Sequence, residues 1–390
     1  MSHITFISTN HEWGGSELLW SEVAIHLSKQ GESISVGIPE WKKPFNIRIV
    51  QLKEIATEFY YNYDDKEYVN AYKNLSLFKR ISNRFLPQKQ QWKHKVENII
   101  NRDFIFNKSK PDIVVFSLGR QWDIDNTMHY CIDNNINYVL LFQLVNEYDF
   151  IYDYDLLKKI RFICQKANRI YFVSRRNADI FEQRIGLNLQ NKEIVFNPVN
   201  LNKEVHIPYP NVEPTYNVAC VANIMMLHKG QDILFSIFSK EKWQKRNIKL
   251  NLYGTGIHEE FLKEWKHKEK LENIEFHGFC NDIESIWANN HALILSTRME
   301  GMPLCLLEAM QMKRMAIITD KGGVCDLIED GETGFLSIEA NSILFEETME
   351  RAWKKRNSWE EMGKNAFIKV NKFMPQNPIE YFANKISAEI

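Results

Sequence analysis

The chain has 390 residues and a formal net charge of −1. That length holds two domains, each able to bury a core. The near-neutral balance excludes a global field that would draw nucleic acid, and the lack of an 18-residue apolar run excludes a membrane-spanning helix.

The first residues, MSHITFISTN, run straight into a strand and lack the basic start and cleavage site of a signal peptide. Six cysteines (131, 164, 220, 280, 305, 325) have no close pair. Zinc and Cys-x-x-Cys redox sites are therefore not expected, and free thiols in a reducing cytoplasm are.

HITFIS reads as a short apolar strand. It leads through Asn10 to Glu17, with Gly14 and Gly15 between them, into an amphipathic helix ending at Gly31. Strand, Gly-Gly loop and helix form a phosphate-approach geometry, because glycine lets backbone come close and a helix start favours anions. A plain tight turn is the other reading of the same pair. ESISVGIP continues as a second strand.

Residues 54–67 are acidic and Tyr-rich. Residues 79–110 carry nine Lys or Arg against Glu97 and Asp103, with Phe85, Trp92, Phe104 and Phe106 interleaved. Such a stretch reads as a nucleic-acid surface, a solvated helical face, or a surface that rests on anionic lipid. The neutral whole chain and the lack of a nucleic-acid motif weigh against the first.

PDIVVFS and NYVLLFQLVNEY each give a strand and a polar loop, with Arg120, Gln143, Asn146 and Glu147 in or beside those loops. ANRIYFVS, a helix through Phe181 and KEIVFNPVN close the first half. VEPTYNVACVAN restarts with a strand, which places a new domain from residue 203. It runs to His228-Lys229-Gly230-Gln231-Asp232 and a helix. Strand and helix then alternate through LNLYGTG, NIEFHGF and NDIESIWANN, and the tail after Met374 and Pro375 ends in an amphipathic helix.

The stretch 296–323 reads STRMEGMPLCLLEAMQMKRMAIITDKGG. HALILS before it and RMAIIT within it read as buried strands. Gly301 and Pro303 break the backbone after Glu300, Pro303 suits the first turn of a helix, and Leu304, Leu306, Leu307, Ala309 and Met310 give that helix an apolar face. The loop lies at the carboxyl end of a strand, where α/β sheets bind ligands. Glu300 and Glu308 are separated by seven residues. If both were helical, their backbones would be ~12 Å apart, beyond the ~5–9.5 Å of a glycosidase pair. Two carboxylates gripping two parts of one long polyhydroxylated ligand fit better. The plain alternative is a loop charge and a solvated helix residue.

EGMPLCLLEA, the Gly-Gly loop and LIEDGETGFL together closely resemble the donor-binding motif of retaining glycosyltransferases of family 4. The resemblance covers most of 216–336 and extends more weakly to the N-terminal half. It implies an α/β chain of GT-B architecture: two facing Rossmann-like domains with parallel sheets and a cleft between them. Residues 1–202 would form the acceptor-side domain, residues 203–374 the nucleotide-sugar donor domain, and the helix in 375–390 would cross back to the first.

By resemblance, Glu300 contacts the donor sugar, Glu308 the ribose and Lys229 the donor diphosphate. The backbone of Met302, Pro303, Leu304 and Cys305 faces the donor. Gly14 and Gly15 face its phosphates and sugar, and Phe279 lies where backbone contacts the base, a core aromatic being its other reading. Asn223 stands where the family has an Arg, and it supplies no charge. Where the family has a His beside the donor sugar, Ser117 and Gln143 stand. Arg120, Gln143, Asn146 and Glu147 become the acceptor-side candidates. In a different glycosyltransferase fold, Asp-x-Asp triplets such as Asp123–Asp125 and Asp153–Asp155 hold a divalent metal; here they read as surface charge, so no metal and no cofactor are expected.

The implied function is nucleotide-sugar-dependent, retaining hexosyl transfer from a UDP- or GDP-sugar to a cell-surface glycan or lipid-linked saccharide. The enzyme would be cytoplasmic, with a peripheral membrane contact through 79–110, and would serve polysaccharide biosynthesis. A sugar-nucleotide epimerase and a non-catalytic subunit of a transferase complex are the alternatives.

Overall fold

The computed structural model describes residues 1–10, 13–39, 47–62, 110–123, 126–199, 207–211 and 215–390. Of the basic stretch 79–110, all but Lys110 lies outside the described residues, as do Asp125, residues 63–67 of the acidic stretch and the junction at 200–206. The chain divides into two compact units. One comprises Met1–Val173, Ala178–Val195 and Ile379–Ile390; the other comprises Ser174–Asn177 and Phe196–Pro378.

Among the described residues the first unit has seven strands: β1 (His3–Ser8), β2 (Ser33–Pro39), β3 (Glu58–Asn62), β4 (Ile113–Leu118), β5 (Asn137–Phe142), β6 (Arg169–Phe172) and β7 (Lys192–Ile194). They pair in the order β3-β2-β1-β4-β5-β6-β7, all parallel. β4 and β5 read as unbroken apolar runs because helices cover both faces of such a sheet. Every residue of β4 is buried. On β5 and β6, Phe142 stacks on Phe172 with ring centroids 5.0 Å apart and meets Phe181 at 4.4 Å. Each such ring contributes roughly 1.5–3 kcal/mol through burial. β3 lies in the stretch that reads only as acidic and Tyr-rich. EFYYN shows no clean alternation, and its strand character comes from pairing with β2.

The second unit repeats the plan with β8 (Tyr216–Val221), β9 (Ile248–Tyr253), β10 (Ile274–Gly278), β11 (Ala292–Leu295), β12 (Met315–Thr319) and β13 (Gly334–Ser337). Their order is β10-β9-β8-β11-β12-β13, again all parallel. In each sheet the direction of strand addition reverses once, between β1 and β4 and between β8 and β11. At such a switch point the loops leaving the two strands diverge and open a crevice. The helix Pro378–Ser387 packs in the first unit. There Arg169 Nε donates to Glu389 Oε1 at 2.8 Å, Phe382 meets Tyr171 edge-on, and Lys385 pairs with Glu193 at 3.1 Å.

Candidate functional site

In the second unit the loops leaving β8 and β11 carry the charged candidates. After β8 the chain makes one helical turn, Met226–Lys229, and reverses at Gly230 with φ +65°. Glycine is required twice over here. The backbone is left-handed, and a Cβ would overlap the Ser296 carbonyl oxygen. The close approach is fastened by hydrogen bonds. Ser296 Oγ donates to Gly230 O at 2.6 Å, Thr297 Oγ1 and Arg298 N donate to His228 O at 2.8 Å, and Arg298 grips Asp232 with two bonds of 2.8 Å.

This zip brings Lys229 Nζ to 2.7 Å from Glu300 Oε1. Burial works against the ammonium, but the Glu300 carboxylate outweighs it and holds the Lys229 pKa above its ordinary value. Glu300 itself is only 8% exposed. Its backbone is seated from the other side by Gly322, at φ +56°, where a Cβ would overlap the Glu300 and Gly301 carbonyl oxygens. Gly323 N donates to Gly301 O at 2.7 Å.

Pro303 is the cap residue ahead of the helix Leu304–Gln311, with ψ 120°, rather than part of its first turn. The N–H groups of Leu304 and Cys305 open that helix and have no intrahelical acceptor. One face of the helix is apolar and buried, and Glu308 is buried with it rather than solvated, at 8% exposure. Burial pushes its pKa up to about 7. No side-chain hydrogen bond reaches it among the described residues. The thiol pKa of Cys305 is raised first by burial and then by Glu300 and Glu308, with Lys229 opposing. Asn223 is exposed at the end of β8, and its carbonyl accepts from Gln231 Nε2 at 2.9 Å. Phe279 is 72% exposed, so it is not a core aromatic.

In the first unit the corresponding loops leave β1 and β4. Gly14 and Gly15 precede the helix Ser16–Lys29, and neither has a positive φ. A Cβ on Gly14 would meet only Ser16 Oγ at 3.9 Å, so its backbone faces open space. Behind it lies a residue that periodicity alone does not flag. Glu17 is 1% exposed, accepts from Trp20 Nε1 at 2.8 Å and from Asn10 Nδ2 at 3.2 Å. Burial raises its pKa to about 7, against hydrogen bonds from Ser8, Trp20, Asn10 and Ser16 that lower it.

Arg120 is exposed, and its backbone N donates to Asp123 Oδ2 at 2.9 Å. Asp123 also accepts from Thr9 Oγ1 at 3.0 Å. Asp153 caps the helix Tyr154–Lys166, accepting from Asp155 N and Leu156 N. Both aspartates thus have structural work, and no three metal-ligating side chains cluster among the described residues. Asn146 Oδ1 accepts from Tyr148 N, and the Glu147 carbonyl accepts from Arg184. Gln143 and Ser117 differ. They are 5% and 2% exposed at the carboxyl ends of β5 and β4, and Gln143 Oε1 and Nε2 and Ser117 Oγ have no hydrogen-bond partner among the described residues. Buried polar atoms in this state point to a ligand or an ordered water.

Two parallel sheets with strand orders of this kind, each with its loops opening at a switch point, define the GT-B class of glycosyltransferase folds. The structure of Anabaena Alr3699/HepE in complex with UDP superposes with a TM-score of 0.71 at 15% identity, covering 99% of each chain. The lipopolysaccharide outer core galactosyltransferase WaaB gives 0.66 at 17%, covering all of both chains. At these identities the likeness is one of fold.

Residues 202–369 match the family model of the glycosyl transferases, group 1. Among curated relatives, the chain is 27% identical to the putative glycosyltransferase EpsD of Bacillus subtilis over 163 residues, 42% of this chain and 43% of EpsD. It is 24% identical to a poly(ribitol-phosphate) alpha-N-acetylglucosaminyltransferase of Staphylococcus aureus over 206 residues, 51% of this chain and 40% of that one. The matches thus span less than half the length of these relatives.

Proposed function

We propose that this chain is a glycosyltransferase that moves a sugar from a nucleotide-sugar donor, with retention at the anomeric carbon, to a glycan or lipid-linked saccharide. The observation that carries the reading is the Lys229–Glu300 ion pair at the switch point of the second unit, with a buried Glu308 on the helix that follows. Structures with UDP and UDP-glucose bound to HepE, and with UDP and alpha-GlcNAc-glycerol bound to S. aureus TarM, support a nucleotide sugar as donor.

Each group has a task it can do. Glu308 is buried without a hydrogen-bonding side chain, and it is satisfied by the two hydroxyls of a ribose. Glu300 accepts from hydroxyls of the donor sugar while its other interaction holds Lys229. When the bond between the anomeric carbon and the diphosphate breaks, negative charge grows on the leaving phosphate. Lys229 and the N–H groups of Leu304 and Cys305 stabilise that charge in a site already organised to receive it. The acceptor oxygen attacks the same face that the phosphate leaves, and its proton passes to a phosphate oxygen. No protein nucleophile and no metal enter this scheme, because positive charge is supplied by Lys229 and the helix start. The neutral groups of Ser117 and Gln143 serve the acceptor side.

Donor hydrolysis measured across a panel of UDP- and GDP-sugars, with no acceptor added, tests the reading. Slow release of nucleoside diphosphate from one donor, abolished in Glu300→Gln, is expected. Interconversion of the sugar without release would identify an epimerase. Neither turnover nor binding with any donor would identify a non-catalytic subunit.

A further inference from the structure

The loop 143–153, which leaves β5, and the start of the helix behind it turn large rings outward. Tyr148 is 59% exposed, Phe150 48%, Tyr152 95% and Tyr154 63%. Four such side chains within seven residues depart from the scattered apolar exposure normal on a soluble surface. The loop is not loose. Val145 is buried in the core and Ile151 packs against it. Gln121, itself 2% exposed, donates from Nε2 to the carbonyls of Asn146 at 3.1 Å and Asp149 at 3.3 Å, and accepts from Asn146 N. Arg184 donates to the Glu147 carbonyl and lies 4.0 Å from the centroid of the Phe150 ring. Chain that could bury these rings is instead held so that they face solvent.

The charges between the rings narrow what can cover them. Residues 147–155 read EYDFIYDYD, with four carboxylates. Arg184 lies over the Phe150 ring, and Lys158 lies 4.6 Å from the Tyr154 ring centroid and pairs with Asp155. Two cations thus meet four carboxylates, and the balance stays negative. An anionic lipid surface or a nucleic acid would be repelled. A pyranose ring fits. Its faces carry C–H groups with slight positive charge that settle on the negative face of an aromatic ring, and its hydroxyls donate to carboxylates and to the tyrosine oxygens.

We propose that the outward-facing aromatic loop 148–154 binds the sugar residues of an extended, hydroxyl-rich saccharide. This rests on the reading of the chain as a glycosyltransferase and deepens it. The acceptor, or the growing chain, is a saccharide of several residues that is uncharged or cationic. Its reactive end is served by the buried Gln143, and its more distant rings lie along Tyr148 and Tyr152.

The test is binding of the full chain to an array of immobilised neutral, cationic and anionic oligosaccharides of one to eight units. It is run beside sedimentation with vesicles of pure phosphatidylcholine and of phosphatidylcholine with phosphatidylglycerol. Wild-type protein is expected to bind neutral or cationic oligosaccharides, more tightly above about three units. Tyr148→Ala/Tyr152→Ala should lose at least fivefold of that binding, while Tyr148→Phe/Tyr152→Phe, which keeps the rings, retains most of it. Donor hydrolysis without acceptor should be equal in all three proteins; its absence in all three would undo the transferase reading while leaving the saccharide surface standing. Absence of saccharide binding, binding that is the same in the alanine variant, preference for anionic glycans, or vesicle binding or self-association lost on alanine substitution would each overturn the proposal.

Discussion

The carboxyl ends of the two sheets share a backbone plan and differ in their chemistry. At the end of β8 and β11 the groups are charged and already engaged: Lys229 on Glu300, Arg298 on Asp232, and backbone zipped to backbone across residues 226–300. At the end of β4 and β5 the groups are neutral and unengaged, with Gln143 and Ser117 buried and their polar atoms unpartnered. A site that must meet a charge growing on a leaving group has to hold its counter-charge in place beforehand. A site that must recognise hydroxyls needs only donors and acceptors left open. On the proposed reading, the contrast matches the nucleotide end of the reaction to the second unit and hydroxyl recognition to the first.

The sharpest way to break that contrast is to remove the charge. Lys229→Ala should lower single-turnover transfer by ~10²–10³ or more, the loss typical of one well-placed electrostatic donor, while EDTA leaves wild-type turnover intact. Retention of a third of the rate would mean that another group neutralises the leaving phosphate. Asn223→Arg, which adds charge at an exposed position earlier on the same loop, should be tolerated and partly restore the Lys229→Ala enzyme.

A smaller effect is expected on the neutral side. Gln143→Leu keeps the volume and removes both polar atoms. It should raise the KM for acceptor about tenfold, the worth of roughly one hydrogen bond, and leave donor hydrolysis unchanged. Equal loss of donor hydrolysis would move Gln143 to the donor side and blur the contrast.

An effect of similar size is expected on stability. Glu17 has a folded pKa of about 7, above the ordinary carboxylate value in the unfolded chain. Between those values the native state binds more protons than the unfolded one, so stability is greatest below about pH 4.5 for this group and is lost as pH rises to 7. Glu17→Gln should flatten that part of the stability profile, by ~1–3 kcal/mol at pH 8 relative to pH 5. Urea unfolding of both proteins at the two pH values measures it. An unchanged slope would show that Glu17 is ionised in the folded protein.

The residues that carry the proposed chemistry were legible in the sequence because they sit in compact local motifs, Glu300 to Glu308 and Lys229 to Asp232. The contacts that place them were not. Lys229 and Glu300 are 71 positions apart, and Arg298 and Asp232 are 66 apart. Only the adjacency of β8 and β11 brings them together. Glu17 was passed over because a carboxylate in the first turn of a helix ordinarily faces solvent and the dipole, and its burial depends on Trp20 and Asn10 folding over it. The aromatic loop escaped for the opposite reason. EYDFIYDYD reads as a polar loop after a strand and a surface-charge triplet, and only the bracing by Gln121 and Arg184 shows that its rings face outward.

The central claim is that Glu308 meets the nucleotide. Its carboxyl is held near a pKa of about 7 by burial alone. Ribose hydroxyls donating to it favour the charged form, so binding should expel a proton. The most direct measurement is calorimetry of UDP and GDP binding at pH 6 and pH 8, in buffers of different ionisation enthalpy, on wild-type protein and Glu308→Gln. The account predicts that one nucleotide binds with proton release near pH 7 and tightens several-fold from pH 6 to pH 8. In Glu308→Gln the affinity should fall by the ~1.5–3 kcal/mol of a charged hydrogen bond, and its dependence on pH should disappear. Equal affinity in both proteins, with no proton released by either, would contradict it.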